Sequence, residues 1–310
     1  MGFRREKPVI DDRMSEQLAL HEEIPKLAEQ HGQTEQHGQT SDERDHSGRQ
    51  ERRQKSVDHA VFEPSGVDGL SSDGLPSGFL ASVVIPVYNE RNTIVQIVER
   101  VHQCGVPCEI ILVDDGSTDG SGELLSELCN TWPAPSRLTV VQHAVNRGKG
   151  AALKTGFARV RSDVVIVQDA DLEYDPTDYW KLLQPIVNGR ADVVFDSRFQ
   201  NAAGRSLFWH TLGNRMLTTL SNLRTGLHLT DMETCYKVFR REIVEQIAPS
   251  LRETGFGIEP EITARVARIS GVRIAEVPVS YAVRSYDQGK NQMSRRPLRS
   301  LVHRTLLKSL

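Results

Sequence analysis

The chain has 310 residues, 38% of them hydrophobic, room for about two domains at roughly 150 residues each or for one α/β domain with extra segments. Its net charge of −3 is unevenly distributed: residues 1–80 carry 10 of the 38 Lys and Arg but 16 of the 41 Asp and Glu, which leaves a mildly basic remainder. That balance excludes a uniformly basic nucleic-acid binder, four cysteines exclude a disulfide framework and point to a reducing compartment, and no run approaches the ~20 apolar residues of a spanning helix.

Residues 1–79 are rich in Glu, Gln, His, Asp, Ser and Gly, and Glu-Gln-His-Gly-Gln-Thr occurs twice in succession from Glu29. So little apolar surface cannot offset the entropy of ordering, and a disordered polar leader is expected. No apolar stretch follows the charged start, so no secretory signal is expected either; the reading is a cytoplasmic protein whose membrane contact is peripheral. The texture changes at Ala81. Ser82–Val87 predicts a buried strand, Thr93–Gln103 a helix with Ile94, Ile97, Val98 and Val101 on one face, and Glu109–Val113 a second buried strand. Cys104 and Cys108 have no matching His or Cys pair, which argues against zinc. Gly122–Cys129 then predicts a helix, Leu138–Gln142 a strand, Gly150–Val160 a helix and Val164–Gln168 another apolar run. Alternating strands and helices imply an α/β fold with a mostly parallel, doubly wound sheet flanked by helices. Ligands of such sheets bind beyond the carboxyl ends of the strands, and the polar clusters of this chain fall at those ends.

Asp169-Ala170-Asp171, with Glu173 two residues on, can converge on a Mg²⁺ or Mn²⁺ ion shared with substrate phosphates. The same pattern also serves as a turn or helix cap. Asp114-Asp115-Gly116-Ser117 suits a strand-to-helix turn whose carboxylate either accepts hydrogen bonds from a base or ribose or simply caps. Asn146-Arg147-Gly148-Lys149-Gly150-Ala151-Ala152 can let backbone and Lys149 approach a phosphate without having P-loop spacing. No Gly-x-Gly-x-x-Gly follows the first strand, which argues against a nicotinamide dehydrogenase as the missing P-loop spacing does against a P-loop ATPase.

Taken in order, Val84-Ile85-Pro86-Val87-Tyr88-Asn89-Glu90, Val113–Ser117, Asn146–Ala152, Gln168–Glu173 and Asp196-Ser197-Arg198-Phe199 resemble a family 2 glycosyltransferase with the GT-A nucleotide-sugar fold. Leu212-Gly213-Asn214, the run Asp231 to Lys237, Gly255 to Glu261 and Glu276 to Tyr281 resemble its dolichyl- or polyprenyl-phosphate mannose synthase branch. The resemblance implies a catalytic domain over 80–291. It places Pro86, Tyr88, Glu90, Asp115, Lys149, Asp169, Arg284 and Lys290 around the nucleotide sugar, GDP-mannose or a UDP-hexose. It gives Asp169, Asp171 and Glu173 to the metal, and Arg198, Arg215 and Asp231 to the polyprenyl phosphate acceptor. Asp171, Arg198, Asp231 and Glu259 are then the catalytic candidates. Family 2 members invert the anomeric centre by direct displacement, so no enzyme nucleophile is implied. One departure stands out: Asp196 occupies the position of the family's usual glycine and is expected to add a negative charge beside Arg198.

After Asp287 come six cations and no acid, and residues 292–310 suit a basic amphipathic helix. It either rests on anionic lipid or packs on the body with a solvated face. Ser206–Leu223 concentrates apolar residues with Arg205 and Arg215, and suits either lipid contact or a core or dimer helix. Three readings follow: a glycosyltransferase acting on a polyprenyl phosphate, one acting on a hydroxyl acceptor in cell-surface polysaccharide or glycolipid synthesis, and an inactive scaffold. A nucleotidyltransferase is disfavoured because the expected glycine-rich nucleotide loop near the N-terminus is missing. Gln-x-x-Arg-Trp is absent too, which disfavours a processive polysaccharide synthase.

Overall fold

The central strand β2, Ala81–Val87, is buried along nearly its whole length, as an apolar run must be when strands lie on both sides and helices on both faces. The computed structural model describes residues 57–59, 75–133, 137–198 and 208–282. Its sheet has eight strands in the order β1-β8-β6-β7-β5-β2-β3-β4: β1 is Val57–His59, β3 Cys108–Asp114, β4 Leu138–Gln142, β5 Val164–Val167, β6 Val193–Ser197, β7 Lys237–Arg240 and β8 Ile274–Pro278. All neighbours pair in parallel except β7, which runs antiparallel to both β5 and β6. The expected architecture is therefore present, with one reversed strand inserted in the middle.

Helix α1, Ile94–Gln103, buries Ile94, Ile97, Val98 and Val101, the face read from the sequence. Helices α2, Ser121–Thr131, and α3, Lys149–Phe157, follow β3 and β4. A Cβ on Gly156 would overlap Val84, so α3 lies directly against β2. A short 3₁₀ turn, Pro176–Asp178, leads into α4, Tyr179–Val187. The remaining helices are α5, Phe208–Thr225, α6, Arg241–Ile247, and α7, Ile258–Ala267. Pro86 is tolerated inside β2 because pairing with β5 ends at Val84, so the missing N–H interrupts no ladder on that side.

Val57–His59 lies inside the segment expected to be an unstructured leader, yet pairs with Ile274, Ala275 and Glu276 of β8. Edge pairing uses main-chain groups, so an apolar sequence signal is not required. Because β7 is reversed, its first residue rather than its last lies at the carboxyl edge: Lys237 pairs with Val167 of β5 and Phe195 of β6. This places a lysine beside the acids that follow β5.

Candidate active site

The loops after β2 and β3 are joined to each other before they meet anything else. Asn89, at φ 56°, receives the Thr118 N–H on Oδ1 at 2.8 Å and donates its own N–H to Ser117 Oγ at 2.9 Å. The Glu90 N–H donates to Ser121 Oγ at 3.0 Å, and Thr93 Oγ1 donates to Glu90 Oε2 at 2.7 Å. Tyr88 stands at the rim, 40% exposed. Asp115 is buried and its oxygens accept the N–H groups of Arg147 at 3.0 Å and Gly148 at 2.6 Å, with His143 Nδ1 at 2.7 Å. Its visible role is to clamp the Asn146–Gly150 turn.

The same turn is held from its other side. Gly148 has φ 96°, a Cβ there would strike the Thr254 carbonyl, and the Ala151 N–H donates to that carbonyl at 3.1 Å. Lys149 is thereby fixed at the start of α3, where Nζ lies 2.8 Å from Asp169 Oδ1 and 2.9 Å from Glu259 Oε1. Glu259 also receives Lys237 Nζ, which is completely buried and donates to the Thr234 carbonyl as well. Four alternating charges thus run from the β5 loop to α7: Asp169, Lys149, Glu259, Lys237. Burial alone would lower the Lys149 ammonium, but Asp169 and Glu259 overcome it and hold it charged. Burial would raise the Glu259 carboxyl, but the two lysines hold it below its ordinary range.

The β5 loop itself is acidic. Asp171 Oδ1 accepts the Glu173 N–H at 3.1 Å across Leu172, a residue at φ 62° and therefore in a sparsely populated backbone region. Burial, Asp169 and Glu173 push the Asp171 carboxyl up to about 7, with Glu90 adding to the effect. These are hard oxygen donors carrying more negative charge than the site can hold comfortably, which fits a Mg²⁺ or Mn²⁺ ion. Among the described residues no three His, Cys, Asp or Glu converge tightly enough to hold a metal by themselves. A cation here needs ligands from elsewhere, and the diphosphate of a nucleotide sugar is chemically suited to supply them.

A second cluster lies at the end of β6. Arg198 makes a fork on Asp231, Nε to Oδ2 at 2.7 Å and Nη2 to Oδ1 at 2.9 Å, and Nη2 also reaches the Glu233 carbonyl at 3.1 Å. Asn214 Nδ2 donates to Asp231 Oδ1 at 2.7 Å, which ties α5 to the pair, while Arg215 next to it is on the exposed side. The Thr230 and Asp231 N–H groups both donate to the buried carboxylate of Glu276. Arg198 lies over the Tyr281 ring at 5.3 Å, and Tyr281 OH donates to Glu173 Oε2 at 2.7 Å, joining this cluster to the acidic loop. Asp196, expected to add a negative charge beside Arg198, is buried and accepts from Thr234 Oγ1, and burial pushes its carboxyl well above the usual carboxylate range. Arg284, Lys290 and the basic segment 292–310 lie outside the described residues.

Pro86, Tyr88, Glu90, Lys149, Asp169, Asp171 and Glu173 thus share the carboxyl edge of β2 to β5, and Arg198, Asp231 and Glu259 adjoin them. Lys237, Glu276, Glu233 and His143 were missed. Lys237 had a usable signal, a lysine opening the short apolar run Val238-Phe239; the partners of Glu276 lie 45 and 46 residues away and had none.

Solved structures with this fold include glucosyl-3-phosphoglycerate synthase from Mycobacterium tuberculosis in complex with Mn²⁺, UDP and phosphoglyceric acid. It is 21% identical, with a TM-score of 0.59 over 81% of this chain and 86% of that one. The same protein with Mg²⁺ and UDP gives a TM-score of 0.56 at 20% identity, over 81% and 86% of the two chains. The fold is that of the GT-A class. More narrowly, the chain matches the glycosyl transferase family 2 model over residues 82–248 and belongs to that family. It is 33% identical over 218 residues to polyprenol monophosphomannose synthase of Mycolicibacterium smegmatis, covering 68% of this chain and 80% of that one. It is 34% identical over 213 residues to undecaprenyl-phosphate 4-deoxy-4-formamido-L-arabinose transferase of Yersinia enterocolitica, covering 67% of this chain but only 62% of the relative's length. These similarities place it in the polyprenyl-phosphate sugar transferase branch.

Proposed function

We propose that the protein transfers a hexose, mannose from GDP-mannose as the first choice, from a nucleotide sugar to a polyprenyl or dolichyl phosphate with inversion at the anomeric carbon. The observation that carries this reading is the juxtaposition of two unlike clusters, the acids after β5 and the Arg198–Asp231 pair after β6, joined through Tyr281 and Glu173. Asp169 and Asp171 would hold a Mg²⁺ or Mn²⁺ ion, whose contribution when bound is to neutralise charge developing on the leaving nucleoside diphosphate. Lys149 sits at the start of α3, where its charge and the helix N-terminus favour phosphate oxygen. Arg198, oriented by Asp231, offers a guanidinium to the acceptor phosphate. A phosphate acceptor is already anionic, so the site need not remove a proton. This agrees with Glu259 neutralised by two lysines and Asp231 held by Arg198, neither of which suits a base.

The named relatives support the acceptor class, since polyprenol and undecaprenyl phosphate appear in their names. No described helix is long and apolar enough to cross a membrane; the basic residues after Asp287 support peripheral contact with its cytoplasmic face. A second reading, transfer to a hydroxyl acceptor, is favoured by Glu233, whose carboxyl is pushed up to about 7 by burial and by Glu259, a range suited to a base. Incubation with GDP- and UDP-sugars, Mn²⁺ and either polyprenyl phosphate or the corresponding polyprenol separates the two. Product from the phosphate alone is expected; product only from hydroxyl acceptors would overturn the first reading.

A further inference from the structure

Glu233 has no part in the transfer to a phosphate acceptor described above. Its Oε1 is shielded from solvent and has no hydrogen-bond partner among the described residues, an unfavourable state for a buried polar atom unless a ligand supplies the partner. It is not a stray surface group, because its own backbone carbonyl is the third acceptor of the Arg198 guanidinium. Its place is fixed by main-chain contacts to both clusters: Arg198 donates to the Glu233 carbonyl and Lys237 to the carbonyl of the next residue, Thr234, with Glu259 and Asp231 the partners of those cations. Glu233 therefore lies between the lysine–carboxylate chain on the donor side and the Arg198–Asp231 pair on the acceptor side.

The chemistry of that position selects its ligand. The two cations near it, Lys237 and Arg198, are already paired with Glu259 and Asp231, so this carboxylate repels phosphate oxygen. It welcomes neutral hydroxyl donors, and a hexose lying between the leaving diphosphate and the incoming phosphate offers several. We propose that Glu233 recognises the transferred sugar, accepting a hydrogen bond from one of its hydroxyls on Oε1 and so setting which hexose is carried. The inference rests on the nucleotide-sugar reading above. It makes Glu233 a specificity residue for the donor, while Lys149 and Asp169 hold the part of the donor common to all sugars.

The test compares binding of GDP-mannose with binding of GDP, and UDP-glucose with UDP, by calorimetry in Mn²⁺ for the full chain and for Glu233→Ala and Glu233→Gln. Loss of a hydrogen bond to a charged group is expected to weaken the preferred nucleotide sugar about tenfold in Glu233→Ala. The free nucleotide should change less than twofold. Glu233→Gln, of the same size and still an acceptor, should shift the sugar in the same direction by about threefold, and it serves if the alanine variant fails to fold. Equal weakening of sugar and nucleotide, or no change in either, overturns the inference. So does a loss of turnover with sugar affinity intact, which would make Glu233 a proton acceptor. A wild-type protein that binds no nucleotide sugar overturns this inference and the functional reading together, whereas a wild type that binds one while the variants behave identically overturns this inference alone.

Discussion

At Asp171 the fold and the chemistry pull in opposite directions. Burial together with Asp169 and Glu173 makes its negative charge unfavourable in the metal-free protein, and removing that charge should relieve the fold while disabling the site. Asp171→Asn is expected to lower sugar transfer at least about 100-fold and to raise the thermal midpoint at pH 8 in the absence of divalent ions. Glycolipid formation and a melting curve check the two halves, and a variant that keeps full activity would remove Asp171 from the metal site. Glu259 carries the opposite sign. Its folded carboxyl is held below the ordinary value of 4.5 by Lys149 and Lys237 against the effect of burial. Its contribution to stability is therefore present above about pH 4.5 and lost as the pH falls through the folded value. Glu259→Gln leaves the buried Lys237 without an anionic partner and Lys149 with Asp169 alone, and should cost about 3 kcal/mol at pH 7, with the difference from wild type shrinking as the pH falls through the folded value. Urea unfolding across that range measures it; a difference independent of pH would show that the ion pairs contribute nothing.

Among the elements, α3 shows how a sheet edge becomes a site. Its first residue is aimed by a turn clamped between Asp115 and the Thr254 carbonyl, and the clamp leaves no room for a side chain at Gly148. Gly148 combines φ 96° with ψ 158°, a region open essentially to glycine alone. Gly148→Ala should therefore cost about 2 kcal/mol or more in urea unfolding and weaken nucleotide binding by displacing Lys149; unchanged values for both would show the turn to be adaptable. Such local features were legible in the sequence because parallel central strands are buried on both faces. Runs like Ile110–Val113 and Val164–Val167 are uninterrupted, and the acids Asp114 and Asp169 mark where they end. The reversed strand β7 was not legible, since its four residues open with a lysine whose burial depends on Glu259, 22 positions away. The destination of the Asp115 carboxylate was open for a similar reason. Residue type and spacing admit either a base or the backbone as its partner, and only the docking of the next loop but one decides.

For the whole molecule, the sheet's order carries the consequence that composition concealed. The acidic, polar first quarter of the chain contributes β1, a short edge strand that covers β8. Glu276 lies in β8 and its carboxylate anchors the Thr230 and Asp231 N–H groups, so Asp231, and through it Arg198, is held by the penultimate strand of the sheet. Removing β1 makes β8 the edge, where strands fray most readily. Two truncations separate this effect from any other role of the first residues. Deletion of 1–56 keeps Val57–His59 and should leave stability and transfer near wild type. Deletion of 1–60 removes the pairing and should cost about 1–2 kcal/mol, from the loss of a few exposed main-chain hydrogen bonds, together with a several-fold rise in the KM for the lipid acceptor and little change in that for the nucleotide sugar. The asymmetry is the informative part, because the donor loops follow β2, β3 and β5 at the far side of β7 and meet the β8 end of the sheet only through Tyr281 and Ala282 on the β5 loop. If both truncations behave alike, the edge pairing supports nothing. If donor and acceptor KM rise together in the longer deletion, the sheet responds as one unit and the Glu276 anchor is not a separate support for the acceptor side.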